Sequence, residues 1–215
     1  WGSDERIRRL GEVDGLEHLH HALAQGNGVI LLSAHFTPME LGLRMLAVAM
    51  QPIKVHPVYQ IHDNPLMERF ITGGRERHSG QSISRKDIRR MIRFLRENRV
   101  VWYSPDQATS GKDSAIVPFF GVPASSHTAI SRLARLTGAP VLPFFARRLP
   151  GGKGYRVSLS PPLADFPSDD PAEDTARYHQ VIEQQVAEAP AQYWWVHRRF
   201  KGRGPEYPDV YAKSD

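Results

Sequence analysis

Four consecutive aliphatic residues, Val29 to Leu32, end in Ser33-Ala34-His35 and hand over within a few positions to a helical pattern that runs to Met50. A short continuous apolar run bounded by turn signals is the signature of a strand buried on both faces, which in turn calls for helices on either side of a parallel sheet. Thr37 reads as the N-cap of the helix that follows, Pro38 as its first residue with a dispensable N–H, and Glu40 as the third position of a capping box. His35 is then left in the turn at the strand's carboxyl end. Two residues five apart on one helix diverge by about 140°, so His35 and Glu40 meet only if the histidine lies in the turn and the glutamate in the first helical turn. There the helix N-terminus keeps Glu40 ionised. A carboxylate that accepts from one imidazole nitrogen raises the basicity of the other, as proton removal from a hydroxyl requires. A capping glutamate beside an ordinary turn histidine fits the same residues.

The pattern repeats along the chain. Gly15 to Gln25 is helical; Ile53 to Tyr59 is a strand that Pro57 breaks or places at an edge. Asp63-Asn64-Pro65 turns into a short helix that Gly73-Gly74 interrupts before Arg75, Arg77 and His78. Ser84 opens a helix with Asp87 as capping partner and Ile88, Met91, Ile92 and Leu95 as its apolar stripe. Its other face carries Arg85, Lys86, Arg89, Arg90, Arg93, Arg96 and Arg99, either a solvated face or one that meets anionic lipid or an acidic partner. Val100 to Ser104 is a third strand, followed by Asp106, which is either a site residue at the carboxyl edge of the sheet or an Asx-turn cap. After a polar loop at 107–115, the aromatic VPFFGVP segment (117–123) packs under the core or lines an apolar channel. Ser126 to Gly138 is helical, Val141 to Arg147 and Tyr155 to Ser160 are strands, and a last helix spans Pro171 to Ala189. The expected fold class is α/β, a single domain over 1–215 with a central, largely parallel mixed sheet flanked by helices.

Composition narrows the chemistry. The 215 residues contain no cysteine, which removes thiol nucleophiles, thiolate metal sites and disulfides. His18, His20 and His21 crowd one helix without a third ligand nearby in sequence, so no metal is expected there. A net charge of +5 points to anionic partners, and no stretch is long and apolar enough to span a bilayer. The tail joins Tyr193, Trp194 and Trp195 to His197, Arg198, Arg199, Lys201 and Arg203, a mixture suited to a membrane interface or to nucleic acid. With neither a cysteine nor a G-x-S-x-G serine, the hydroxyl that His35 would activate belongs to a substrate, which implies direct acyl transfer.

The blocks HFTPMELG, HDNPLMERF, GRERHSG, SRKDIRRMI, VVWYSPDQ, VPFFGV and YWWVHRRFK, in this order and spacing, resemble the lipid A late (lauroyl and myristoyl) acyltransferases of Gram-negative bacteria, within the wider glycerolipid and lysophospholipid acyltransferase-like superfamily. The resemblance implies a glycerol-3-phosphate acyltransferase-like fold. It also implies transfer of a fatty acyl chain from acyl carrier protein to a hydroxyacyl hydroxyl of a Kdo-bearing lipid A precursor, at the cytoplasmic face of the inner membrane, without a cofactor or metal. The family's H-x4-D/E dyad falls on His35 and Glu40, its arginine of the G-R-x-R block on Arg75, and its aspartate after the Y-x-P block on Asp106. Arg77, Tyr103, Arg198 and Arg199 are further substrate-binding candidates. Members usually carry an N-terminal membrane anchor, so this chain is expected to be the catalytic domain without it. Competing readings are another lipid acceptor, such as a lysophospholipid or a phosphatidylinositol mannoside, and a non-enzymatic basic module that binds membrane or nucleic acid; no nucleic-acid motif is present.

Overall fold

A computed structural model describes residues 2–111 and 113–212; position 112 in the expected polar loop, and the two ends of the 1–215 range, lie outside it. Seven strands form one sheet: β1 (Gly11–Asp14), β2 (Val29–Leu32), β3 (Val55–Tyr59), β4 (Ile83–Ser84), β5 (Val100–Tyr103), β8 (Val141–Arg148) and β9 (Tyr155–Leu159). Their order is β1-β9-β8-β2-β5-β3-β4, parallel throughout except for the antiparallel β8–β9 pair. A separate hairpin pairs β6 (Ser114–Phe119) with β7 (Val122–His127).

The helices α1 (Asp4–Arg8), α2 (Leu16–Ala24) and α3 (Met39–Ala49) cover one face, and α5 (Ile88–Arg96), α6 (Ala129–Thr137) and α7 (Pro171–Glu188) cover the other. Alternation along β2 and β5 explains the continuous apolar runs. Ile30, Leu32, Val101 and Tyr103 face the α5–α7 layer, while Val29, Leu31, Val100 and Trp102 face the α1–α3 layer. The α/β class with a largely parallel mixed sheet is as expected. Gly42 lets α3 lie close on β8, since a Cβ there would run into the Cβ of Ala146. Gly42→Val is expected to cost about 1–3 kcal/mol by overpacking, read as a lower denaturation midpoint.

Several local expectations are corrected. The helix after β2 starts at Met39 with Pro38 in the N-cap position and no side-chain cap, so Thr37 and Glu40 form no capping box. Pro57 lies in an interior strand; β4 reaches only Val58 and Tyr59, so the ladder on that side begins beyond the proline. Gly73-Gly74 does not break α4 (Pro65–Glu76), which Asn64 caps by accepting from the N–H groups of Leu66 and Met67. Ser84 is in β4, and Asp87 is the N-cap of α5, accepting from the Arg90 N–H. The cations have a packing role too: the guanidinium groups of Arg90 and Arg93 on α5, and of Arg99 just beyond it, lie over the Phe94 ring.

Candidate active site

Parallel pairing of β2 with β5 sets Leu32 opposite Tyr103, and the Ser33 N–H donates to the Tyr103 carbonyl. His35 and Asp106 each lie three residues beyond that register pair, so the two chain ends leave the sheet side by side. The imidazole Nδ1 is 2.6 Å from Asp106 Oδ1, and the His35 main-chain N–H donates to Asp106 Oδ2 at 3.0 Å. Asp106 is 1 % exposed. A carboxylate that takes both the backbone and the ring N–H of one histidine fixes its position and its tautomer, with the proton on Nδ1 and the lone pair on Nε2.

The electrostatics favour the charged pair. Burial pushes the His35 imidazole down, but the charge and hydrogen bond of Asp106 push it up further, leaving it above its ordinary value of 6.5. Burial raises the Asp106 carboxyl, and His35 together with the backbone donors outweighs it, so the acid stays below its ordinary value of 3.8. The histidine turn is also clamped from the C-terminal segment. Trp194 N–H donates to the His35 carbonyl at 2.9 Å, Thr37 N–H to the Gln192 carbonyl at 2.8 Å, and Phe36 bridges Tyr193.

Glu40 does not reach His35's ring. Its carboxylate receives the Arg75 guanidinium in a bidentate pair, with Nε at 3.2 and 3.1 Å from the two oxygens and a second nitrogen closing the fork. The physical reason is the helix start: with α3 beginning at Met39, Glu40 points outward toward α4, which carries Arg75, and Asp106 already occupies the histidine's inner side. The Glu40–Arg75 pair still lies within electrostatic range of the imidazole, the guanidinium lowering its pKa and the carboxylate raising it.

A cavity of about 190 Å³ opens in front of His35, bounded on one side by Met39, Ile71 and Arg75 and on the other by Tyr103, Arg85 and His127. A larger groove of about 930 Å³ runs between α1, α3 and α4, past Leu41, Leu43, Phe70 and Arg77. Glu40 and Arg75 line the groove, and Arg75 and Ile71 line both spaces. His35, Tyr103, Arg75 and Glu40 are thus grouped with Asp106. Arg77 lies on the exposed groove side. Arg198 is exposed, with its guanidinium over the Tyr211 ring. Arg199 is 2 % exposed and donates to the Ser125 carbonyl, to Ser126 Oγ and to His179 Nε2, tying β7 to α7, so its side chain serves the hairpin's attachment. The VPFFGV segment forms the tip of that hairpin and lines neither space. Arg85, expected on the cationic helix face, precedes α5 and lines the cavity in front of His35, as do His127 and Glu68, which no motif in the sequence marks. Among the described residues no cluster of three or more His, Cys, Asp or Glu could hold a metal.

The profile of the family described as "Bacterial lipid A biosynthesis acyltransferase" matches residues 1–202. The chain belongs to that family, and it is an acyltransferase. It is 40 % identical over 209 residues to the lipid A biosynthesis lauroyltransferase of Escherichia coli (strain K12), covering 97 % of this chain and 67 % of that one. It is 36 % identical over 215 residues to a lipid A biosynthesis acyltransferase of Haemophilus influenzae, with the same two coverages. It is also 36 % identical over 201 residues to the lipid A biosynthesis palmitoleoyltransferase of Escherichia coli (strain K12), covering 93 % of this chain and 64 % of that one. This acyltransferase chain thus spans about two thirds of the length of these relatives. Among its described residues, no helix is long and apolar enough to cross a membrane.

Proposed function

We propose that this acyltransferase moves a fatty acyl chain from the thioester of acyl carrier protein to a hydroxyacyl hydroxyl of a Kdo-bearing lipid A precursor, at the cytoplasmic face of the inner membrane of a Gram-negative bacterium. His35 is the general base and no acyl-enzyme forms. The observation that carries this reading is the His35–Asp106 pair, in which the buried carboxylate leaves Nε2 as the basic nitrogen. Nε2 takes the proton of the acceptor hydroxyl as its oxygen attacks the thioester carbonyl. The tetrahedral oxyanion then collapses, the C–S bond breaks, and the imidazolium returns the proton to the departing thiolate, giving an ester and a free thiol.

Arg75, held by Glu40, stands at the passage between the cavity and the groove, where a cation offsets developing negative charge on the oxyanion or the thiolate. In this reading Glu40 serves the H-x4-E pattern through Arg75. A double-mutant cycle with Glu40→Gln and Arg75→Met is expected to show a coupling of about 0.5–3 kcal/mol in kcat/KM; additive losses would separate the two residues.

Membrane contact is supported by exposed apolar side chains around the site. Leu66, Met67 and Phe70 project from α4, with Phe70 67 % exposed, and Trp194, Trp195 and Phe120 form a second patch next to the His35 clamp. The net charge of +5 suits an acidic carrier and a phosphorylated glycolipid. The test is incubation with acyl carrier protein donors of graded length and a Kdo-bearing tetraacylated acceptor, with products weighed by mass spectrometry. One added acyl group is expected. Acylation of a lysophospholipid or a phosphatidylinositol mannoside in its place would overturn the acceptor assignment.

A further inference from the structure

The cavity in front of His35 has a second polar wall that this reaction does not use. Arg85 follows β4, Tyr103 ends β5 and His127 ends β7, so three separate elements bring donors to one space. The Arg85 main-chain N–H donates to the Tyr59 carbonyl at 2.8 Å, which anchors the arginine at the sheet's carboxyl edge. None of the ion pairs among the described residues engages Arg85. Asp113, whose charge is felt at Tyr103 and His127, is taken by Arg132.

Burial holds the Tyr103 phenol up at about 12, so it keeps its proton, and its hydroxyl has no hydrogen bond among the described residues. Burial, then the charge of Arg85, holds the His127 imidazole down at about 4, so it is neutral and retains one N–H. The His127 main chain is pinned because its carbonyl accepts from the hydroxyls of Tyr178 and Thr175. Among the described residues, the one carboxylate lining this cavity, Glu68, already accepts from the Tyr59 hydroxyl at 2.6 Å and the His62 N–H at 2.8 Å. A phenol and an imidazole without hydrogen-bond partners among the described residues, lining one cavity with a guanidinium outside the ion pairs, suit an acceptor-rich anion.

We propose that Arg85, with Tyr103 and His127, forms a subsite for a phosphate group that one substrate carries near the reacting ester. A phosphate presents several acceptor oxygens in different directions, which matches donors arriving from three elements better than a planar carboxylate does. The subsite rests on the acyl-transfer reading for its place in the reaction. Two sources offer this chemistry: a phosphoryl group on the acceptor sugar, and the phosphodiester of the carrier's pantetheine arm.

The test uses Arg85→Gln, with Arg85→Lys and His127→Asn beside it. Inorganic phosphate at constant ionic strength is expected to raise the thermal midpoint of the unmodified protein and not that of R85Q, with malonate giving no comparable rise. In kinetics R85Q is expected to raise KM about ten- to hundredfold for the substrate that bears the phosphate, as loss of a charged hydrogen bond predicts. The effect falls on KM more than on kcat, R85K recovers part of it, and H127N repeats it at smaller size. Acceptors with and without the phosphoryl group, and acyl-phosphopantetheine against acyl-pantetheine, identify the source: the difference between R85Q and the unmodified protein vanishes where the relevant phosphate is missing. Equal KM values for R85Q and the unmodified protein with both phosphate-bearing substrates, or equal phosphate stabilisation of R85Q, would overturn the subsite. Absence of transfer by the unmodified protein to any acceptor would count against the acyl-transfer reading instead, because the phosphate titration reads the subsite without turnover.

Discussion

Replacing His35 with alanine is expected to lower acyl transfer by about 10²–10⁴-fold, the span general-base catalysis supplies, while the thermal midpoint stays near that of the unmodified protein. The ring is partly exposed at the cavity mouth, with 29 % of the side chain accessible, so its removal opens space toward solvent and leaves the core intact. Loss of the imidazole does strand Asp106, but one of its oxygens keeps the His35 main-chain N–H, which survives the substitution. The decisive comparison is single-turnover transfer at saturating donor, which separates the chemical step from binding. Transfer by His35→Ala within a few-fold of the unmodified rate would remove His35 from the chemistry.

Asp106→Asn is the second large effect. The amide is nearly isosteric and the turn is held by many backbone bonds, so the fold survives. The tautomer does not. An amide N–H facing Nδ1 drives the ring proton to Nε2, and the nitrogen that must accept the acceptor's proton is then occupied. The same inversion in a serine triad is known to be severe, and about 10²–10⁴-fold loss in kcat is expected here. Asp106→Ala removes the orienting group without imposing the wrong tautomer, so it should retain more activity than Asp106→Asn. The reverse order would mean that the carboxylate acts by charge alone.

Much of this architecture is written locally in the chain. The aliphatic runs at Val29–Leu32 and Val100–Tyr103 are legible because both faces of these strands are buried, and α7 is legible from Asp170-Pro171 at its start and its acidic first turn. β1 escaped notice because Gly11–Asp14 lies at the sheet edge, with two exposed residues among its four and no apolar run. The β6–β7 hairpin was hidden by Pro118 and Pro123, which face each other across a two-stranded ladder where a missing N–H is tolerated. Propensity at Gly73-Gly74 speaks for a break, but α4 runs on through open space beside both glycines, tied by the Asn64 cap at its start and by the Glu68–Tyr59 and Arg75–Glu40 side-chain bonds.

The site was half legible for a comparable reason. The sequence marks His35, Glu40, Arg75 and Asp106, but its spacing pairs the histidine with its neighbour in the chain, Glu40. The true neighbour of the imidazole is 71 residues away. What brings it there is the parallel register of β2 and β5, a long-range fact that no local spacing carries. The residue five positions on, drawn outward by its helix, meets the arginine of α4.

Asp106, and not Glu40, sets the basicity of His35. The pH dependence of kcat/KM in the unmodified protein, Asp106→Asn and Glu40→Gln measures it directly. A general base works when deprotonated, so the rate rises with pH through the free enzyme's imidazole pKa. In the unmodified protein that acid limb lies above 6.5, because Asp106 outweighs burial. In Asp106→Asn burial and Arg75 both act downward without that opposition, so the limb moves below 6.5 and the plateau falls. Glu40 is the smallest of the raising influences, so Glu40→Gln moves the limb only slightly downward. A limb that shifts more in Glu40→Gln than in Asp106→Asn would make Glu40 the group that sets the imidazole's basicity.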